Sequence, residues 1–205
     1  FRSHEKLRAE VAAEAGIDVG QLIKCDVDRF YGIEYEEFPA QIAQVAMWLI
    51  DHQMNQMVSN TFGEYYVRLP LRKSATIKHG NALRIDWQSL IDPMPWAKEE
   101  AKYNFILGNP PFVGKTWQTE EQRKDMETIF SGVNSGALVD YVSCWYIVAA
   151  KYLNQSSKTE VAFVSTNSIT QGEQVGILWN ELINHYKVQI NFAHRTFSWS
   201  NEARA

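Results

Sequence analysis

The sequence contains few cysteines, no long apolar run and no GxG sequence. Its two cysteines, Cys25 and Cys144, are far apart and have no CxxC or Cys/His ligand spacing, so neither a disulfide framework nor a metal site is indicated. No run of about 18 or more apolar residues occurs, which argues against a membrane span. The first residues also lack the apolar core of a signal peptide. These absences predict a cytoplasmic protein that does not associate with a membrane.

The chain also has no strong excess of charge. Its formal net charge is -4 over 205 residues, so nothing draws the whole chain toward a polyanion. Any nucleic-acid contact must therefore come from a local patch or from parts of a protein outside this chain. Hydrophobic residues make up 45% and charged residues 21%, which is typical of a globular protein, and the length suits one large domain.

Apolar segments with strand character alternate with segments of helical periodicity. Strands are predicted within residues 27–34, 75–79, 105–107, 161–169 and 188–197. Helices are predicted over residues 4–15 with Gly16 as C-cap, 36–55, 119–132 with Thr119 as N-cap, 136–153 and 173–186. Such alternation predicts an α/β fold with a mostly parallel sheet.

Polar residues stand at or just after several predicted strand ends. They are Glu34, Asn81, Asn109 and the residues from Ser165 to Asn167. Ligands of parallel α/β sheets bind beyond the carboxyl ends of the strands. We therefore expect these side chains to gather along one edge of the sheet.

The sequence "NPPF", Asn109 to Phe112, carries the clearest chemical signal. The Asn109 side-chain oxygen and the Pro110 carbonyl are two hydrogen-bond acceptors on a turn that proline restrains. Acceptors on both hydrogens of an aromatic amine, such as that of adenine, pull its nitrogen toward tetrahedral geometry and localise the lone pair. With Phe112 stacked on the base, this amine could attack an activated methyl group, with positioning and electrostatics supplying the rate.

These segments together resemble a known family, the amino-methylating DNA methyltransferases, whose fourth motif is (D/N/S)PP(Y/F/W). Other stretches match the family's motifs in order. "FYGIE" resembles the second motif, "GNALRIDW" the third, "GALVDYVSCWYIVAAKYL" the fifth, "VAFVSTNSI" the sixth and "FAHRTFSWSNEAR" the lead-in to the eighth. The likeness is strongest to the MmeI-like restriction–modification group and covers essentially all 205 residues.

The resemblance implies a class I, Rossmann-like methyltransferase sheet with helices on both faces, and S-adenosylmethionine as cofactor. Glu34 would bind the ribose hydroxyls of the cofactor, and Asn81 and Ala82 its adenine. The catalytic residues would be Asn109, Pro110, Pro111 and Phe112. Phe197 would pack on the other face of a target adenine flipped out of double-stranded DNA. Nuclease and target-recognition domains of the same parent chain are the other partners implied.

The family's first motif, a glycine-rich turn, has no counterpart because the chain contains no GxG. Residues 1–205 are therefore expected to be part of a methyltransferase catalytic domain, incomplete at both ends. On this expectation the isolated 205-residue piece is inactive.

Structural roles remain open for each of these residues. The NPPF stretch could be a proline turn that closes a strand, Glu34 a helix N-terminal acid, and Asn81 the start of an Asx turn. Phe197 could belong to the core, and Asp140 is expected to cap its helix or form a salt bridge within it, with a direct role as the alternative. The alternative functions are methylation of RNA or of a protein glutamine, and a non-catalytic scaffold.

Overall fold

A computed structural model describes residues 25–62, 74–91 and 101–197. The chain forms two compact units, Phe1–Asp92 and Pro93–Ala205, each with its own pair of parallel strands. The protein is thus a mixed α/β structure, as predicted. The helix predicted over residues 4–15 and its C-cap at Gly16 lie outside the described residues.

In the first unit, a helix connects two parallel strands. Strand β1 (Tyr31–Glu34) pairs with β2 (Thr76–His79) from Tyr31 opposite Thr76 to Glu34 opposite His79. Helix α1 (Glu37–Phe62) lies between them in sequence. The strands and the helix confirm the prediction from the apolar periodicity, although α1 leaves much of its apolar surface exposed.

No helix in the described ranges is long and apolar enough to cross a membrane.

The second unit repeats the pairing of parallel strands. Strand β3 (Phe105–Gly108) pairs with β4 (Glu160–Phe163), from Phe105 opposite Glu160 to Gly108 opposite Phe163. Between them lie helices α2 (Glu120–Ile129) and α3 (Ser143–Leu153). Thr119 caps α2 as predicted, since its hydroxyl accepts from Gln122 N and the Gln122 side chain accepts from Thr119 N.

The core of the second unit is built around α3 and the residues just before it. Val139, Val142, Cys144 and Ile147 are fully buried. The buried Tyr141 hydroxyl donates to Asp125 Oδ2 at 2.8 Å, which provides this buried carboxylate with a hydrogen bond.

Several predicted elements differ from the structure. Helix α1 extends to Phe62 and not only to residue 55, a 3₁₀ turn (Val27–Arg29) precedes β1, and β4 ends at Phe163, with a 3₁₀ turn (Asn167–Thr170) after it. The helix expected from residue 136 begins only at Ser143, after a 3₁₀ turn (Gly136–Leu138). The helix expected over 173–186 is α4 (Gln174–Trp179), which continues as a π-helix (Asn180–His185). The strand predicted over residues 188–197 is wrong: these residues have no regular structure, because no described strand supplies its backbone hydrogen bonds.

The two thiols should differ in reactivity. Burial raises the pKa of the Cys144 thiol far above its usual range, and the Asp125 carboxylate adds to this effect. Because the thiolate is the nucleophile, we expect brief iodoacetamide treatment of the native protein at pH 8 to modify the half-buried Cys25 and to leave Cys144 intact. Peptide mass spectrometry gives the result, with denatured protein as the control in which both react. Equal native rates would contradict the assigned environment of Cys144.

Candidate active site

The NPPF stretch begins directly where β3 ends. Val164 N donates to Gly108 O at 3.0 Å, so the pairing of β3 with β4 continues up to Asn109. A side chain on Gly108 would place its Cβ 3.0 Å from two atoms of the Phe163 ring, so any larger residue here would require the ring to shift. The end of the strand pair therefore fixes where Asn109 leaves the sheet.

Burial differs along the four residues. Pro110 is buried, whereas Asn109 and Pro111 are exposed and the Phe112 side chain is 46% exposed. Among the described residues, neither the Asn109 side chain nor the Pro110 carbonyl oxygen has a hydrogen-bond partner. A buried proline thus anchors a turn that presents two acceptors and an accessible ring.

Aromatic packing supports this strand end from the other side. The Tyr146 ring meets the Phe163 ring edge to face, with centroids 5.3 Å apart, and Trp179 lies 6.4 Å from Tyr146. Burial raises the pKa of the Tyr146 phenol, while the nearby Ser165 hydroxyl acts in the opposite direction. The Phe163 ring therefore packs against Tyr146 and also lies close to Gly108 at the end of β3.

In the first unit, Glu34 is the last residue of β1 and stands just before α1. Its Oε1 accepts from Tyr35 N at 2.9 Å and from Glu36 N at 3.4 Å. This is the local role, close to the start of a helix, that the sequence left open. Within the described ranges the second oxygen, Oε2, has no hydrogen-bond partner, so a ligand hydroxyl could still donate to it.

Asn81 follows the end of β2 and makes the Asx turn that was the alternative interpretation. Its Oδ1 accepts from Leu83 N at 2.9 Å. The Ala82 carbonyl is engaged as well, since it accepts from the buried Trp87 Nε1 at 2.8 Å. Gly80 N donates to Glu34 O at 2.8 Å, which brings Asn81 close to the end of β1.

Phe197 lies in the irregular segment and its side chain is 52% exposed. Its ring meets the His194 ring edge to face, with centroids 5.7 Å apart. It is therefore not an ordinary core residue, and its role as a base-stacking partner stays a prediction.

Asp140 was expected to act within its own helix, and this prediction is wrong. It lies before α3, and its carboxylate accepts from Lys115 N and from the Gln174 side chain. Lys115 is 25 residues away and Gln174 34 residues away, so the short-range sequence pattern carried no signal for these contacts.

Each unit is therefore an α/β structure with polar residues at the carboxyl ends of parallel strands, where ligands of such sheets bind, and β3 is followed by the NPPF turn, whose two acceptors have no hydrogen-bond partner among the described residues. The family described as "MmeI, DNA-methyltransferase domain" matches residues 1–205. The chain belongs to this family.

Two known proteins are similar to this chain over part of their length. DNA methyltransferase A of Bacillus subtilis (strain 168) is 41% identical over 179 residues, which cover 87% of this chain and 20% of that protein. A solved structure of the Type IIL restriction–modification enzyme MmeI in complex with DNA superposes with a TM-score of 0.81 at 52% identity. That match covers 91% of this chain and 24% of the MmeI chain. The chain thus spans only about a fifth to a quarter of these relatives.

Proposed function

We propose that this domain transfers a methyl group from S-adenosylmethionine to N6 of an adenine that is flipped out of double-stranded DNA. The observation that carries the proposal is a pair of acceptors, Asn109 Oδ1 and the Pro110 carbonyl, which have no hydrogen-bond partner among the described residues and lie beside the accessible Phe112 ring. Membership of the MmeI methyltransferase family supports DNA methylation, and the DNA bound to the MmeI relative supports DNA as the partner.

The roles of the NPPF residues follow from hydrogen-bond chemistry. The two acceptors would each take one hydrogen of the adenine N6 amine, which localises the nitrogen lone pair for attack. Phe112 would stack on the base and fix its plane. Pro110 and Pro111 would hold the turn through their restrained φ angles. No dedicated general base is required, because the amine proton becomes acidic once the methyl group has been transferred.

The residues at the ends of β1 and β2 fit a nucleoside cofactor. Glu34 Oε2 would accept from the ribose hydroxyls, and Asn81 with Ala82 would hold the adenine. When bound, S-adenosylmethionine supplies the electrophilic methyl group. The same match to MmeI, together with the parallel strand pairs, supports a class I, Rossmann-like sheet as the fold. Nuclease and target-recognition domains of a parent chain stay predictions.

The test is to incubate a full-length protein that contains this domain with S-adenosylmethionine and duplex DNA, then to digest the DNA and identify methylated nucleosides by mass spectrometry. We expect N6-methyladenosine as the deoxynucleoside. RNA of the same sequence and a glutamine-containing peptide serve as competing substrates. Methylation of either in preference to DNA would redirect the proposal to that substrate, and no transfer to any of the three would favour a scaffold.

Phe112 should act through its ring. Its replacement, Phe112→Ala, should lower kcat/KM by an amount that corresponds to about 1–3 kcal/mol, the contribution of one base–aromatic contact. Phe112→Tyr and Phe112→Trp keep a ring and should retain most of the activity. Steady-state kinetics on the same duplex measure all three variants. If the Tyr and Trp variants lost as much activity as Phe112→Ala, base stacking would not be the role of this residue.

A further inference from the structure

The loop that follows the NPPF stretch is tied to a distant part of the second unit. Val113 O accepts from Tyr141 N at 2.9 Å, and Lys115 N donates to Asp140 Oδ1 at 3.2 Å. These bonds lie one and three residues beyond Phe112. The residues that follow Phe112 are therefore held by hydrogen bonds to Asp140 and Tyr141.

Asp140 is itself oriented by Gln174, the first residue of α4. Gln174 Nε2 donates to Asp140 Oδ2 at 3.2 Å, and Gln174 Oε1 accepts from Asp140 N at 3.1 Å. Both ends of the glutamine amide are therefore used, and both contact the same residue. Paired in this way, the two side chains hold the Asp140 carboxylate in one orientation, with Oδ1 facing Lys115 N.

The base of this arrangement is rigid. Val139, Tyr141 and Val142, which flank Asp140, are almost completely buried. The Gln118 side chain also donates to Val139 O at 3.3 Å. Asp140 thus extends from a packed part of the core toward the loop. A displaced loop would lose the bond from Lys115 to Asp140 and the bond between Val113 and Tyr141.

We infer that Asp140 and Gln174 are positioning residues, which hold the loop after Phe112 so that the NPPF acceptors and ring keep the geometry for methyl transfer. The inference rests on the proposed function. Neither residue need touch substrate or cofactor, because each acts on the site through the backbone of residues 113–115.

The pattern of donors and acceptors allows a swap experiment. In Asp140→Asn, one carboxylate oxygen becomes an NH₂ donor. In every orientation of the two amides, this donor or the Gln174 NH₂ group then faces another donor, so the three bonds with Lys115 N, the Gln174 side chain and the backbone N of residue 140 cannot all form. In Gln174→Glu, two carboxylates face each other. The double variant Asp140→Asn/Gln174→Glu restores every bond with one donor–acceptor pair reversed. Glu173→Gln, which changes an exposed neighbouring carboxylate with no capping bond, is the control.

In a full-length protein that contains this domain, we expect each single variant to lower kcat about tenfold or more, on the scale of a misplaced reacting group, with little change in the KM for S-adenosylmethionine. The double variant should recover most of the parental kcat, and Glu173→Gln should match the parent. Hydrogen exchange at the Lys115 amide, which does not depend on turnover, should rise in Asp140→Asn and fall again in the double variant.

Two results would overturn the inference: a parental kcat in both single variants, or a double variant no better than they are. A parental protein that methylates no adenine in DNA would instead contradict the proposed function. The exchange measurement at Lys115 would then still test whether Asp140 and Gln174 hold the loop.

Discussion

In a full-length protein that contains this domain, Asn109→Ala is expected to abolish methylation while leaving S-adenosylmethionine binding largely intact. The variant removes the acceptor Oδ1, which has no partner among the described residues, so no existing hydrogen bond is broken. Removal of one preorganised polar contact to a transition state typically costs about 100-fold to 1,000-fold in kcat. The lost oxygen contacts the target amine and not the methyl donor, which is why cofactor affinity should survive.

Asn104→Ala provides a matched control for this loss. Asn104 is also exposed and lies next to β3 at its other end, where its backbone carbonyl accepts from Glu160 N. Removing its side chain deletes an identical amide beside the same strand without touching the NPPF turn, so activity should remain close to parental. Asn109→Asp keeps one acceptor oxygen and should retain measurable activity.

Single-turnover rates on an adenine-containing duplex and calorimetric titration with S-adenosylmethionine are the two measurements required. Methylation by Asn109→Ala at close to the parental rate would refute the catalytic assignment. If Asn109→Ala and Asn104→Ala both lost activity and cofactor binding, the cause would be impaired folding and not the loss of a contact to the target amine.

Local sequence signals predicted the parts of the fold that depend on neighbours in the chain. The apolar segments ending at Glu34 and Gly108 are strands, and the Thr119 capping box starts a helix because its bonds join residues three apart. The position of NPPF at a strand end was predicted for the same reason. Proline cannot donate to a sheet ladder, so the strand had to end where the prolines begin.

Other features depend on residues far away in sequence and were missed. Asp140 finds its partners across 25 and 34 residues, and no periodicity encodes such contacts. Residues 188–197 show β propensity, yet propensity forms no strand without a partner backbone. For Glu34 and Asn81 the sequence could not separate a local hydrogen bond from ligand binding, since the same oxygen can serve both.

Of the Gly→Ala substitutions at glycines that the structure describes, Gly136→Ala should cause the largest loss of stability. Its added Cβ would lie 2.5 Å from Phe130 Cβ, 3.1 Å from Cγ and 3.2 Å from Cδ1. Phe130 is 4% exposed and closes α2, with its N–H bonded to Met126 O, so its Cβ is fixed by the helix backbone and cannot move aside. Overpacking of this kind costs about 1–3 kcal/mol, and occasionally more, in the free energy of unfolding.

Gly176→Ala separates this overlap from a general effect of losing a glycine. Gly176 lies inside α4, and an added Cβ would meet no heavy atom within 4 Å. Alanine is the better helix former by about 0.5–1 kcal/mol, so this variant should be at least as stable as the parent. Urea unfolding should therefore show a lower midpoint for Gly136→Ala and an unchanged or higher midpoint for Gly176→Ala, with an unchanged slope for both. An unchanged midpoint for Gly136→Ala would mean that the turn Gly136–Leu138 can move away from Phe130 at the end of α2. The residues that hold the loop after Phe112 would then be less tightly packed than the short Gly136–Phe130 distance indicates.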